Sequence, residues 1–284
     1  MRSGKQQLAV WKWGNGPRVL LVHGWGGSAG QLDAFVVALT SAGFSAVAFD
    51  APAHGASPGS EASLPAFAAA IERVSSLVGP LHGVIAHSLG GPATALAMKR
   101  GLRLERAVFV APPANALDWF EKFSRELELG PSSELAARER IESRLGVPFE
   151  ELNQRALGPH IDVPLLVIHD RLDRQVPWSD GRAVVEASAS ARLLTTEGLG
   201  HQRILKNAQV VDDAVAFLKA QPQAKPVDLR AGVQHEKSRS CEHRSGRLES
   251  ISRPNDELCL QCELERELFD RSSRWSANEA SRAA

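Results

Sequence analysis

Val84-Ile85-Ala86-His87-Ser88-Leu89-Gly90-Gly91 is the stretch that decides how this chain folds. A β-branched run enters it and a serine stands at its apex. Two glycines, Pro92 and the run from Ala93 to Met98 then leave it with helical composition. The order is strand, tight turn, helix. Such a turn strains the serine backbone and lifts its hydroxyl above the carboxyl end of the strand, which demands small neighbours on both sides. Ser88 is therefore placed as a nucleophile would be. A serine ahead of a helix can also be a plain N-cap.

Working outward, Leu8 to Trp13 alternates and stops at Gly14-Asn15-Gly16-Pro17, a strand and a turn. Arg18-Val19-Leu20-Leu21-Val22 is a continuous apolar run of the kind found in buried parallel strands. It ends in His23-Gly24-Trp25-Gly26-Gly27-Ser28, where glycines let the backbone turn and aim its N–H groups above the sheet. That loop could be an ordinary strand-to-helix connection or a dinucleotide loop. The glycines at 24, 26, 27 and 30 do not make the Gly-x-Gly-x-x-Gly spacing of the latter. A helix over 31–42 with Gly43 as C-cap, a strand over 45–50 and an alanine-rich helix over 64–77 complete the approach to Ser88.

Beyond it, Arg106 to Val110, Val163 to Ile168 and Ala191 to Thr196 read as strands, and a helix closes at 210–219. Alternation lapses between 115 and 157, a charged helical section with Trp119, Phe120 and Phe123 on one side. Strands alternating with helices predict an α/β protein with a mostly parallel sheet and helices on both faces. Two further strand ends carry polar loops. One is His169-Asp170-Arg171-Leu172-Asp173-Arg174-Gln175-Val176-Pro177, and the other is Glu197-Gly198-Leu199-Gly200-His201. Open α/β sheets place their sites in this layer.

Four loops together resemble the α/β-hydrolase family, over roughly residues 8 to 220. Ala86-His87-Ser88-Leu89-Gly90 is similar to its Gly-x-Ser-x-Gly elbow, with alanine for the first glycine. Asp50-Ala51-Pro52-Ala53-His54-Gly55-Ala56-Ser57 is similar to its Asp-x-Pro-Gly-His-Gly-x-Ser loop, again with one alanine, and is read as structural. Asp173 fits the family's Asp-x-x-Val-Pro acid loop, with Asp170 as second choice at a position where the family often has glycine. Ser88, Asp173 and His201 follow the family's chain order.

The resemblance implies a serine hydrolase of carboxylesterase type. Ser88, His201 and Asp173 would be nucleophile, base and acid, and the N–H groups of Trp25 and Leu89 the oxyanion hole. It also implies a small helical cap inserted at about 115–157, with Trp119, Phe120 and Phe123 lining a pocket. A plain helical hairpin packed on the sheet reads equally well from the pattern. Thioester or carbon–carbon hydrolysis and non-catalytic binding are the alternatives. His23 and His87 are read as structural hydrogen-bonders.

The chain has 284 residues, 43% hydrophobic, with 33 basic and 33 acidic side chains. A neutral balance gives no reason to expect nucleic acid or an anionic membrane as partner; a small acyl substrate is what the resemblance implies. The N-terminus lacks a signal-peptide core and no run approaches the roughly 18 apolar residues of a membrane span, so the expectation is a cytoplasmic protein. Nothing in the sequence speaks to oligomeric state, and the triad chemistry implies no cofactor.

Residues 1–220 thus read as one domain and 221–284 as a linker and polar tail too poor in apolar residues to bury much core. Within the tail, Cys241, His243, Cys259 and Cys262 have ligand types suited to a structural zinc, which could fold so polar a segment. The opening spacing resembles ubiquitin-protease-type zinc fingers, but the remaining ligand motifs of that family are missing, so ubiquitin binding is not carried over. The other reading is a tail without packed structure that ends in a short helix at about 257–269.

Overall fold

The computed structural model describes residues 7–220; the candidate zinc ligands and the rest of 221–284 lie outside them. Seven strands form one sheet: β1 (Val10–Trp13), β2 (Arg18–Val22), β3 (Ser45–Phe49), β4 (Leu81–His87), β5 (Arg106–Val110), β6 (Leu165–Asp170) and β7 (Ala191–Thr196). Their order is β1-β3-β2-β4-β5-β6-β7. Only β1 is antiparallel, paired with β3, and all four of its residues are exposed, as suits an edge. No helix among the described residues is long and apolar enough to cross a membrane.

The apolar runs are explained by burial on both faces. Leu20, Val22, Val84, Ala86, Ala107 and Phe109 point to one side, and their alternates Val19, Leu21, Ile85, Val108 and Val110 point to the other. Helices α2 (Leu64–Val78), α3 (Gly90–Lys99) and α7 (Trp178–Glu186) cover the first face. Helices α1 (Asp33–Ser41) and α9 (Ala208–Lys219) cover the second. Fully buried Phe35, Phe49, Phe67 and Phe109 anchor the two layers.

Parallel register puts the carboxyl ends of the inner strands along one edge: His87 pairs with Val110, Val110 with Ile168, and Asp170 with Thr196. Strand β6 runs two residues past the sequence-based end at Ile168, so Asp170 is still in the strand and only Asp173 is in the loop. That shift separates the two aspartates.

Between β5 and β6 come α4 (Ala116–Glu126), α5 (Pro131–Leu145) and the short α6 (Gln154–Leu157). Asn115 caps α4 by accepting the Leu117 N–H at 3.0 Å. Phe120 packs on Phe149 with ring centroids 5.4 Å apart. No residue of α5 is buried, which rules out a hairpin packed flat on the sheet and leaves a small cap. Two ion pairs tie it to the core: Arg144 is bidentate to Glu61 at 3.1 and 3.2 Å, and Lys99 reaches Glu151 at 3.2 Å. Exposed pairs of this kind contribute at most about 1 kcal/mol each, so they fix the cap's place more than its stability.

Candidate active site

Ser88 has φ of 50°, the left-handed region, with its N–H donating to Val110 O at 2.9 Å. The serine does not cap α3; Leu89 occupies the cap position and makes no side-chain bond there. Close packing around the turn explains the small residues. A Cβ on Gly90 would lie 2.9 Å from Val22 O, and one on Gly91 would lie 3.0 Å from the Pro112 side chain. At Gly24 an added Cβ would come within 2.8 Å of Ser88 Cβ, so the His23–Gly27 loop presses directly on the elbow.

That loop is clamped by histidines and by Asp50. His23 donates from Nδ1 to Gly24 O at 2.7 Å and accepts the Ala51 N–H on Nε2 at 2.9 Å. His54, for which the sequence offered no role, donates from Nδ1 to Pro52 O and accepts the Gly26 N–H on Nε2, each at 2.9 Å. Asp50 accepts the N–H groups of Ala29 and Ala56 at 2.7 Å with one oxygen each. The 50–57 loop is thus structural, as its sequence suggested. Ala53 pays for replacing glycine with φ of 60°. Trp25 is 64% exposed at the loop's crest. Neither its N–H nor that of Leu89 donates to a protein group among the described residues.

His201 sits at the start of α8 (Gly200–Arg203), a single turn entered through Gly198 and Gly200 at φ of 86° and 66°. Its Nδ1–H donates to Asp173 Oδ2 at 2.7 Å. The other oxygen of Asp173 accepts the N–H groups of Gln175 and Val176 at 2.8 and 3.0 Å. His169 Nε2 lies 3.6 Å from Asp173 Oδ2 and donates to Val176 O at 3.1 Å. Burial works to raise the Asp173 pKa, but the His169 and His201 imidazoles and the Val176 N–H outweigh it and hold the carboxyl well below the usual range. Asp173 is therefore an anion that orients the His201 ring.

Asp170 does something else. Its oxygens accept the Leu172 N–H at 3.0 Å, the Thr196 hydroxyl at 2.8 Å and the Leu199 N–H at 2.9 Å. It ties the turn before His201 to β6. Burial pushes its pKa up and the Leu199 and Thr196 donors pull it down further, leaving it lowered.

Ser88, Leu89, Trp25 and His201 all line one cavity of about 880 Å³ at the carboxyl edge of the sheet. Trp119, Phe120 and Phe123 line it too, as the cap reading predicts. Sequence reasoning missed Ile141, Leu145 and Phe149, whose signal was diluted in a charged helix and a short turn. Ser88 and His201 share the wall without a mutual hydrogen bond among the described residues. A second depression of about 640 Å³, at the amino-terminal end of β4, contains none of these residues.

Residues 16–145 match the model of the serine aminopeptidase S33 family and residues 143–226 that of TAP-like proteins. The non-heme chloroperoxidase of Streptomyces lividans is 27% identical over 262 residues, covering 73% of this chain and 94% of that one. Among solved structures, the bromoperoxidase of Bacillus anthracis is similar with a TM-score of 0.61 and 20% identity, over 75% of this chain and 95% of its own. An esterase from Exiguobacterium antarcticum matches with a TM-score of 0.61 and 16% identity, over 76% and 96%. A monoacylglycerol lipase from Paleococcus ferrophilus matches with a TM-score of 0.59 and 22% identity, over 75% and 98%. At these identities the solved structures speak for the fold.

Proposed function

The chain belongs to the α/β-hydrolase family, and on that premise we propose that it is a serine hydrolase cleaving an ester of a neutral, largely apolar acyl group through an acyl-enzyme on Ser88. The observation that carries this reading is the buried Asp173–His201 pair, 2.7 Å apart, on the same cavity wall as the strained Ser88. A hydroxyl is a poor nucleophile until an imidazole takes its proton, and the imidazole needs an anion to fix its tautomer and bear its charge.

His201 Nε2 takes the Ser88 proton as Oγ attacks the acyl carbon. The tetrahedral oxyanion is held by the N–H groups of Trp25 and Leu89, each worth about 3 kcal/mol in comparable sites. The same proton then passes to the alcohol oxygen as it leaves. Water, deprotonated by His201, cleaves the acyl-enzyme and restores Ser88. This chemistry calls for no metal or cofactor. A neutral substrate is supported by the wall: besides the histidines its charged side chains are Glu61 and Arg144, which hold each other, while aromatic and aliphatic groups such as Trp119, Phe120, Phe123 and Ile141 stand among uncharged polar ones such as Gln31, Asn115 and Gln202.

The test is hydrolysis of a p-nitrophenyl ester series by the full chain, alongside Ser88→Ala and fluorophosphonate labelling. Turnover should fall at least about a thousandfold in Ser88→Ala, and the adduct should map to Ser88. Absence of both hydrolysis and labelling would favour a non-catalytic binding protein. Labelling with turnover confined to thioesters or carbon–carbon substrates would move the reading within the class.

A further inference from the structure

Among the buried histidines of this site, His87 has contacts that the hydrolytic scheme leaves unused. It precedes Ser88 in β4 and is 2% exposed. Its Nε2 donates to the main-chain carbonyl of His201 at 3.0 Å. A carbonyl can only accept, so Nε2 carries the proton and Nδ1 is the bare nitrogen of a neutral ring. Nδ1 is buried with no partner among the described residues. The two rings lie 4.6 Å apart at 46°, and a Cβ on Gly24 would come within 3.3 Å of Nδ1.

We propose that His87 is a positioning residue for the hydrolysis assigned above: through its Nε2–H it ties the backbone of the general base to the strand that carries the nucleophile. The inference rests on that reading. The segment around His201 needs such a tie. Its turn is entered through two glycines with open space around them, and α8 is a single turn without a side-chain cap. Asp170 holds the chain two residues before the base, at the Leu199 N–H. His87 holds it at the base itself, so the two bonds fix the peptide on both sides of the imidazole. An apolar residue would fill the same volume without burying an unpaired nitrogen, which points to the Nε2 contact as the reason for a histidine.

Neutrality belongs to the same device. The titratable groups facing the ring are His201 on α8, Asp173 in the loop after β6 and His23 at the end of β2. Burial, and then the nearness of His201, lower the His87 pKa to about 3, so the ring keeps its tautomer throughout the working range. When the Ser88 proton is taken, only His201 becomes a cation.

Two variants of similar polarity separate this from mere packing. A glutamine amide can reach the Nε2 position, and an asparagine amide only the Nδ1 position. Ester turnover in His87→Gln should recover to within about threefold of wild type. His87→Asn should lose about twentyfold or more in kcat with KM within about twofold, because substrate binding does not use the tie. Equal turnover in the two variants, or a loss confined to KM, would overturn the proposal. Histidine-labelled 15N NMR of the unmodified protein gives a reading independent of turnover: the expected His87 signal is a neutral Nε2–H tautomer unchanged from pH 5 to 8. A titrating ring or an Nδ1–H tautomer sinks the tie. Should the wild type hydrolyse nothing, or Ser88→Ala remain active, the hydrolase reading fails while the NMR result still decides what His87 does.

Discussion

Asp170 Oδ2 accepts the Leu199 N–H at 2.9 Å, so the carboxylate at the end of β6 holds the backbone of the turn leading to His201. The ring of His201 belongs to Asp173, three residues further on. Two acids that look interchangeable in one loop therefore act on different parts of the same histidine.

Asp173→Asn should lower kcat by about three to four orders of magnitude with the fold retained, since the imidazole loses the anion that orients it. Asp170→Asn should act chiefly on stability. An amide has one accepting oxygen, so at least one of the partly buried donors Leu172 N–H, Thr196 hydroxyl and Leu199 N–H is stranded, at a cost of about 1 kcal/mol or more. Kinetics and urea melts of both variants check this, and a reversed ranking would reassign the acid.

Gly24→Ala should reduce turnover about a hundredfold or more, because moving one oxyanion donor has effects of that size. The added methyl would lie 2.8 Å from Ser88 Cβ and 3.3 Å from His87 O, so either the loop or the elbow must shift. Gly26→Ala, where a Cβ meets nothing within 4 Å, is the matched control for which only the cost of φ at 68° is expected. Comparable kcat losses in the two would dismiss the clash.

Acid should destabilise the protein before its carboxylates protonate. His87 has an ordinary pKa of 6.5 when unfolded and about 3 when folded, chiefly through burial, so below 6.5 the unfolded chain binds the additional proton. Stability is then complete above pH 6.5 and falls as pH drops towards 3, with a limiting slope of about 1.4 kcal/mol per pH unit for one group. Burial lowers the His23 pKa in the same direction. Asp170 and Asp173, with lowered pKa values, add their loss only below about pH 4. Urea unfolding from pH 4.5 to 7.5 should show the early slope, and His87→Gln should flatten it; an unchanged slope in that variant contradicts the assignment.

Shortening the cap's aromatic side chains should alter chain-length preference rather than chemistry. In Trp119→Ala and Phe123→Ala, kcat/KM for an octanoyl ester should drop about tenfold while acetyl ester turnover moves less than about twofold, since the lost surface belongs to α4 of the cap and not to the elbow or the oxyanion loop. A uniform loss across the series would mean that these residues support the site instead of the acyl chain.

Much of this was legible in the residues. Five continuous apolar runs read as strands buried on both faces, and the small residues around Ser88 read as a tight turn between strand and helix. Period and residue size are local properties, so the sheet, its helices and the elbow followed from them. The assignment of Ser88, Asp173 and His201, after β4, β6 and β7, came instead from the resemblance of their loops to the α/β-hydrolase family. What the sequence left open was decided by contacts across long separations. Asp170 and Asp173 differ because β6 extends by two residues and aims one carboxylate at Leu199 and the other at the ring of His201. His54 carried no distinguishing pattern, and His87 read only as a structural hydrogen-bonder without a partner, because each acquires its role from a backbone group brought close by folding, Gly26 N–H for one and His201 O for the other. The cap's inner wall was hidden for the same reason. Ile141 and Leu145 are apolar positions in a helix with no buried residues, and they become the wall of a cavity only where α5 stands over the carboxyl ends of the strands.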